Sequence, residues 1–408
     1  MKYISIYRPQ TYMRYLCMLI LWIASAFVCR GQEAAADTVI SVVTFYPGSD
    51  IYELEGHTAL RVRMPMQDYG VSWGLFDFDA PNFVYRFVKG ETDYMMGIIP
   101  WPYLEAQYHA QGRRIVEQRL NLDSMQKKRL LGLLADNYRP ENRTYRYNYV
   151  LDNCATRPLA IIEESVGDTV TVPEPTGEAA SQTTFRSMMR MYHRNYPWYQ
   201  LGIDIALGST IDKPVTARQK TFAPVAMFSQ LEGATAAGRP LTAGTAVISD
   251  VPEDNAVLGT TPWYLNPVTV SVVILIVIAF ITLRDWRRDR PTRWLDCIYD
   301  TIVGLAGCLV VFLVFVSSHY ATSPNWLLLW LNPLPLAVAA GVWIKGAEKL
   351  VFCLQIAIFA LVLAGIMIWP FTGQYFNPAL LPLVAATLLR AGLYIALGLR
   401  KTKHLCRQ

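Results

Sequence analysis

Three charge-free apolar runs in the last third of the chain constrain its fold more than any other feature. Residues 255–283, 301–344 and 350–389 contain no Asp, Glu, Lys or Arg. A helix needs about 20 apolar residues to cross a bilayer core, and the middle run is long enough for two such helices folded back at Ser317–Asn325. The sequence therefore predicts an all-α membrane domain of five transmembrane helices. They are expected at about 263–283, 297–317, 326–344, 350–370 and 377–399.

The loops between these helices alternate between basic and uncharged. Arg284–Arg293 carries five arginines, Lys345–Lys349 two lysines and the tail 400–408 four basic residues. The alternate loops, Ser317–Asn325 and Phe371–Pro378, carry none. Because basic loops stay in the cytoplasm, we expect a cytoplasmic tail and an outward-facing region before the first helix. Basic residues that gather beside apolar runs are typical of a membrane partner, and no nucleic-acid partner is expected.

The N-terminal segment has the pattern of an export signal. Basic residues precede the uncharged apolar run Tyr15–Val28, and small residues suited to cleavage lie at 24–26 and 34–36. An uncleaved signal anchor is the alternative, although the apolar run is short for a membrane span. Residues 1–36 are therefore predicted to be a signal peptide or anchor that exports the following region.

The region between this signal and the membrane helices is predicted to be one α+β domain, residues 37–228. Strand patterns occur at 38–45, 57–62 and 70–78, and helical patterns at 124–138 and 154–167. Residues 229–262 are rich in Ala, Gly, Thr and Pro and are predicted to be a linker. The membrane domain is then expected to occupy residues 263–399.

A single cysteine lies in the exported region, within DNCATRP, Asp152–Pro158. It has no partner there for a disulfide, so it is a buried small hydrophobe, a link to another chain or a nucleophile. If Asn153 or Asp152 caps a helix, Cys154 falls in the first turn, where the helix dipole favours a thiolate and free amides can bind an oxyanion. Arg157 adds a positive charge nearby. The pattern permits a low-pKa nucleophile supported by Asn153 and Arg157, and equally a packed structural thiol.

A cysteine nucleophile needs a base, and the exported domain offers three histidines. His57 lies at the start of a predicted strand, a rigid mount, after Gly56, which lets another backbone approach. His109 and His193 lie in aromatic helical stretches that are typical of packed or surface histidines. His57 is therefore the candidate base, with Asp77 on the following strand as the candidate third member. Asp68, Asp79 and Glu55 are the alternatives to Asp77. The sequence has no HExxH, CxxC or close histidine pair, so no metal site is predicted.

Two polar residues of the membrane domain are candidates for lipid contact. Arg390 lies near the middle of the fifth predicted helix, where an unpaired arginine costs at least about 2.5 kcal/mol. It could hold an anionic group such as a phospholipid headgroup, or its side chain could snorkel from a tilted helix. His319 lies in the outer hairpin, where it could meet a lipid substrate or be an ordinary loop histidine.

Five blocks of sequence resemble the Lnb-type lipoprotein N-acyltransferases. The two specific blocks are EGHTALRV, Glu55–Val62, and DNCATRP. A histidine on the second strand followed by an Asn-Cys pair is similar to the permuted branch of the papain-like NlpC fold, which includes the lecithin:retinol acyltransferases. The other blocks are Trp73–Gly90, Gly202–Lys213 and Ser318–Leu336, so the resemblance spans both predicted domains.

The resemblance implies a fold, an activity and partners. The fold would be a permuted NlpC/papain-like periplasmic domain followed by a multi-pass domain in the bacterial inner membrane. Cys154, deprotonated by His57, would take an acyl chain from a membrane phospholipid as a thioester. The α-amine of a diacylglyceryl-cysteine lipoprotein, the diacylated acceptor, would then receive the chain. No cofactor is implied.

Two other functions fit the same residues. An NlpC-type cell-wall peptidase or amidase anchored in the inner membrane would use Cys154 and His57 with water as the acceptor. A non-enzymatic assembly or sensor protein would keep the cysteine for packing alone. Five spans with an intramembrane arginine favour a lipid substrate over the first of these. Thiol reactivity separates the second, because a low-pKa Cys154 should alkylate well below pH 8 and a packed one should not.

Overall fold

The computed structural model describes residues 38–167, 170–174, 182–251 and 261–405 of the chain. The predicted signal, residues 1–36, lies outside the described residues. The described part comprises a mixed domain of strands and helices followed by a helical membrane domain. The α+β class predicted for the exported region is therefore confirmed.

The first domain is built on a seven-stranded antiparallel sheet with the order β10-β5-β1-β2-β3-β4-β6. Its central strand β1 is rich in β-branched residues and is buried on both faces, as its apolar sequence VISVVTF requires. The three strands expected from sequence are present as β1, β2 and β3. The strands are β1 Val39–Phe45, β2 His57–Met64, β3 Gln67–Leu75, β4 Asp93–Pro100, β5 Ile115–Leu120, β6 Thr144–Arg146 and β10 Thr242–Ser249. A small second sheet pairs β7 Val170–Thr171, β8 Thr235–Ala236 and β9 Arg239–Pro240.

Helices cover both faces of this sheet. The helices are α1 Phe83–Lys89, α2 Trp101–Ala110, α3 Ser124–Asn137, α4 Thr156–Val166, α5 Phe185–Tyr192, α6 Pro197–Ala206, α7 Ala217–Lys220 and α8 Pro224–Glu232. On one face, α3 and α4 bury Leu130 and Leu159 against Leu60 and Trp73. On the other face, α2 packs against Phe45. Burial of each such side chain contributes about 1.5–3 kcal/mol, so the sheet is the rigid platform of the domain.

The prediction that residues 229–262 form a linker is wrong for most of that range. Residues 229–232 complete α8, and β10 pairs with β5 at the edge of the main sheet. The folded domain therefore extends to Ser249. Small residues are common in linkers, but they also suit an edge strand. A neighbouring strand supplies the hydrogen bonds of an edge strand, and composition does not reveal them.

Four helices in the described residues are long and apolar enough to cross a membrane. They are α9 Pro267–Arg287, α10 Arg293–Phe315, α12 Glu348–Thr372 and α13 Leu380–Leu405. The third predicted span, 326–344, is instead a 3₁₀ turn, Trp326–Leu329, followed by the short helix α11, Leu334–Gly341. Asn332-Pro333 interrupts it, because proline lacks the amide that would continue the helix. A Cβ on Gly307 would lie 2.4 Å from the Asn332 carbonyl carbon, so glycine allows the broken segment to pack directly on α10.

The two domains are joined by hydrogen bonds between the last turn of α6, with the residues that follow it, and the loops of the membrane domain. The Asn325 amide group donates to the Ile205 carbonyl at 2.9 Å, and the Asn377 amide group donates to the Asp204 carboxylate at 2.8 Å. Main-chain bonds of 2.8 Å join Gly208 to Ala321 and Ser209 to Pro324. Two of the sequence blocks noted above, Gly202–Lys213 and Ser318–Leu336, thus meet at this junction.

Candidate active site

Cys154 lies in a tight turn two residues before α4 begins at Thr156. Asn153 holds this turn, since its side-chain oxygen accepts from the amides of Ala155 and Thr156 at 2.8 and 3.0 Å. Its side-chain amide donates to the carbonyls of Tyr149 and Phe222. Asn153 therefore supports the cysteine turn, but it is not the helix cap, because α4 begins later than expected and its N-cap is Ala155. The two amides that it binds are no longer free for an oxyanion.

The thiol of Cys154 accepts three hydrogen bonds, from the main-chain amides of Thr58 and of Cys154 itself and from the hydroxyl of Tyr147. Thr58 pairs with Thr44 of β1 but lies one residue before the pairing of β2 with β3 begins, at Ala59 with Ser72. Cys154 is nevertheless buried, and burial raises its pKa to about 11, with the nearby Glu55 acting in the same direction. The low pKa expected from a helix start is therefore wrong, because desolvation outweighs the three hydrogen bonds.

A raised thiol pKa predicts slow alkylation at neutral pH. Only the thiolate reacts with iodoacetamide, so the alkylation rate of Cys154 should climb with pH and keep climbing toward a pKa of about 11. The measurement is mass-spectrometric quantification of labelled Cys154 between pH 6 and about 10. A rate that reaches a plateau below pH 8 would contradict the buried, protonated thiol.

His57 opens β2 next to the residue whose amide binds the thiol. Its Nε2 atom and the Ser72 hydroxyl oxygen share a hydrogen bond of 2.6 Å. The ring stacks on Tyr108 with 6.2 Å between ring centres. Burial, helped by the positive charge of Arg113, lowers the pKa of His57 to about 3. The imidazole is therefore neutral at physiological pH and able to accept a proton.

Gly56 gives this strand start its geometry. Its φ angle of +83° is in the left-handed region, and a Cβ there would lie 2.5 Å from the Phe45 carbonyl oxygen. Only glycine accepts both conditions without strain. The close backbone approach expected at Gly56 is confirmed, and it fixes where the following histidine stands.

The structure does not bring Asp77 to His57. Asp77 is exposed in the loop after β3, and its carboxylate accepts from the Asp79 amide at 2.9 Å. The position that Asp77 was expected to fill beside the imidazole is held by the hydroxyl of Ser72. A serine on a strand carries no sequence signal for this role, because only the pairing of β2 with β3 brings it to the histidine.

Arg157 is close to the cysteine turn but its charge is already paired. It binds Asp152 through two hydrogen bonds of 2.6 and 2.7 Å, and its guanidinium lies 3.4 Å from the centre of the Tyr145 ring. It therefore holds the turn in place without lowering the thiol pKa. Asp152, which was a possible helix cap, is the partner of this arginine.

A row of aromatic rings leads from α1 to the thiol. Phe83 stacks on Phe76 at 5.6 Å, Phe76 contacts Tyr94 at 5.0 Å, and Tyr94 stacks on Tyr147 at 4.4 Å. Tyr147 is the hydroxyl donor to Cys154. The row is a continuous series of ring contacts between the thiol and a helix that contacts the membrane domain.

His319 joins α1 to the hairpin after α10. Its Nε2–H donates to the Phe87 carbonyl oxygen at 2.8 Å, and the neighbouring Ser318 amide donates to the Lys89 carbonyl oxygen at 2.8 Å. Both bonds satisfy carbonyls at the C-terminus of α1. His319 therefore has a docking role in this structure.

Arg390 is buried and paired inside the membrane domain. Its guanidinium contacts Asp296 at 2.7 Å and Asp285 at 3.0 Å, and the Tyr394 hydroxyl donates to Asp296 at 2.7 Å. The sequence allowed two alternatives for Arg390, a bound headgroup and a snorkelling side chain. The structure instead places Arg390 in an internal ion-pair cluster. The acidic partners escaped notice because they lie far away in the sequence, at the ends of α9 and α10.

Two family models match the chain, one for each domain. Residues 30–190 match the Lnb N-terminal periplasmic domain, and residues 259–402 match the Lnb transmembrane domain. No curated protein and no solved structure gave a significant match. The two matches follow each other in the order of the two domains described above and leave residues 191–258 between them unmatched. On this evidence the chain belongs to the Lnb family.

Proposed function

We propose that this protein is a lipoprotein N-acyltransferase that carries the acyl chain as a thioester on Cys154. In the first half-reaction, His57 takes the thiol proton while sulfur attacks the carbonyl carbon of a phospholipid ester. The ester C–O bond breaks, and His57 returns the proton to the departing alkoxide to give a lysophospholipid. In the second, the α-amine of a diacylglyceryl-cysteine lipoprotein attacks the thioester, forming an amide and releasing the thiol.

This proposal is supported by the position of the thiol, which binds the main-chain amide of Thr58, the residue next to His57 at the start of β2. Because the pKa of Cys154 is raised to about 11 and that of His57 is lowered to about 3, the resting site holds no thiolate–imidazolium pair. The histidine must act as a general base during attack. Because Nε2 is bound to Ser72, Nδ1 is the ring nitrogen that we propose takes the thiol proton. The Thr58 amide and the Tyr147 hydroxyl, which bind sulfur at rest, are the candidate oxyanion donors.

A lipid substrate is supported by the position of α1. Its side chains Val84, Tyr85 and Phe87 are 72, 54 and 48 % exposed, although they are large and apolar. The Tyr85 ring lies 6.0 Å from Phe312 near the end of α10. A helix with an exposed apolar face beside a membrane span is suited to the bilayer interface. The aromatic row from α1 to Cys154 then offers an apolar route for an acyl chain.

The proposed placement follows from the charges of the loops. The basic loops and tail lie in the cytoplasm, and the catalytic domain lies in the periplasm on the inner membrane. We also propose the permuted papain-like arrangement for the catalytic domain, since the histidine strand precedes the cysteine turn in the chain. Both substrates, the phospholipid and the diacylated lipoprotein, are then held in the same leaflet as the site.

The test is mass spectrometry of a reporter lipoprotein from cells with and without this protein. We expect the N-terminal cysteine of the reporter to carry three acyl chains when the protein is present and two when it is absent. The mass difference should equal one fatty-acyl group, and lysophospholipid should accumulate with it. An unchanged acyl count together with altered cell-wall peptides would support the peptidase or amidase alternative.

A further inference from the structure

Glu55 is a buried carboxyl beside the thiol that the mechanism above leaves unused. It lies in the turn before β2 and is 9 % exposed. Its Oε1 atom has no hydrogen-bond partner among the described residues. Its charge acts on Cys154, and the Tyr149 hydroxyl binds it. A buried carboxyl with an unpartnered oxygen near a reaction centre is costly to keep unless a substrate or proton uses it.

The free oxygen of Glu55 faces a second unpartnered group. Oε1 lies 3.7 Å from Nε2 of His193, and this nitrogen is also buried without a hydrogen bond among the described residues. The other ring nitrogen, Nδ1, lies 2.8 Å from the side-chain oxygen of Gln200. The two side chains thus face each other across a gap that a single proton could bridge.

The tautomer of His193 follows from its neighbours. The side-chain amide of Gln200 donates to Asp204, whose carboxylate also binds Arg186 at 3.0 Å. The Gln200 oxygen is therefore the acceptor for Nδ1–H of His193, which leaves Nε2 as a lone-pair acceptor toward Glu55. Burial lowers the pKa of His193 to about 4 and raises that of Glu55 to about 7. Near neutral pH the Glu55 carboxylate can therefore accept one proton and release it again.

The second half-reaction needs such an acceptor. A free α-amine has a pKa of about 8, so the lipoprotein arrives mostly as an ammonium ion, which has no lone pair for attack. Conversion of an ammonium ion and a thioester into an amide and a thiol releases one proton overall. His57 returns to its starting state after the first half-reaction and can carry only the proton that ends on sulfur. A second base is required for the other proton.

We propose that Glu55 is this second base, which binds the ammonium group of the acceptor lipoprotein and takes its first proton. The inference rests on the acyltransferase function proposed above. The neutral nitrogen then forms the C–N bond, the carbonyl electron pair moves to oxygen, and collapse breaks the C–S bond. Nitrogen loses its remaining extra proton through His57 to the departing sulfur. Glu55 resets by releasing its proton to solvent.

The experiment separates the two half-reactions in the purified full-length protein. Wild type and Glu55→Gln are incubated with phosphatidylethanolamine vesicles carrying a labelled acyl chain, and acyl-Cys154 is measured by intact mass. A synthetic diacylglyceryl-cysteine peptide or hydroxylamine is then added as the acceptor. Hydroxylamine is largely unprotonated at neutral pH and needs no base to remove a first proton.

We expect Glu55→Gln to form the thioester within a few-fold of the wild-type rate. Its transfer to the peptide should fall by roughly 10²-fold or more, the usual contribution of a general base. Discharge by hydroxylamine should match wild type. Glu55→Asp, which keeps a carboxylate, should recover part of the transfer rate. The control is Glu163→Gln, a partly exposed carboxylate paired with Arg218, which should leave both half-reactions unchanged.

The possible outcomes distinguish the two proposals. Peptide transfer at the wild-type rate in Glu55→Gln would overturn the role of Glu55, as would an equal loss with hydroxylamine or a failure to form the thioester. Glu55→Asp and Glu55→Gln with the same transfer rate would also overturn it, because only one of them keeps the base. Wild-type protein that never forms acyl-Cys154 would instead refute the acyltransferase function, and the role of Glu55 would fall with it.

Discussion

Replacing Cys154 with serine is expected to reduce N-acylation of a reporter lipoprotein by a factor of roughly 10³ or more. A serine hydroxyl has the same shape but a much higher pKa, and a histidine whose pKa is lowered to about 3 is too weak a base to compensate. The fold should survive, since the Thr58 amide and the Tyr147 hydroxyl can bind oxygen as they bind sulfur. Acyl chain counting by mass spectrometry and thermal unfolding of the purified variant measure the two effects.

The matched control is Cys353→Ser, an exposed thiol of the membrane domain. It should leave both the acyl count and the unfolding temperature unchanged. If Cys154→Ser acylated the reporter as fast as wild type, the thioester would be wrong even if the family assignment held. If the variant failed to fold, Cys154→Ala with its smaller side chain would test the same point without a buried hydroxyl.

The candidate cysteine and histidine could be found from sequence because their signals are local. An isolated cysteine beside asparagine and a histidine after Gly56 are visible in the sequence, and the structure places the histidine at the start of β2 and the cysteine in the turn before α4. The neighbours of these two residues could not be found, because Ser72 and Tyr147 reach them only through strand pairing and the aromatic row. The direction of the thiol pKa was missed for the same reason. Helix position is a local property, whereas burial depends on the whole fold.

The membrane domain shows a similar division between local and long-range information. Charge-free length correctly indicated α9, α10, α12 and α13. Charge-free length could not show that residues 326–344 do not form one continuous helix. Hydropathy carries no information on the packing of Asn332-Pro333 against Gly307. Nor could it pair an arginine with aspartates on two other helices. Such contacts are set by helix packing, which apolar composition leaves open.

Replacing Arg390 with methionine is expected to destabilise the membrane domain by roughly 3–5 kcal/mol, the usual cost of removing one partner from a buried ion pair. Two acidic side chains, Asp285 and Asp296, would remain buried without their cation. Arg390→Lys should recover only part of the stability, because one ammonium cannot span both carboxylates. The free energy of unfolding in mixed detergent with increasing sodium dodecyl sulfate measures the effect.

The control for Arg390 is Arg400→Met, which removes a partly exposed pair with Asp289 near the end of the same helix. It should cost at most about 1 kcal/mol, since water and salt screen such a pair. A headgroup-binding role for Arg390 predicts the opposite pattern, with normal stability and a loss of phospholipid use in the first half-reaction. The ion-pair cluster predicts that any Arg390→Met protein that stays folded still forms acyl-Cys154, because both aspartates lie in the membrane domain and the thiol lies in the sheet domain.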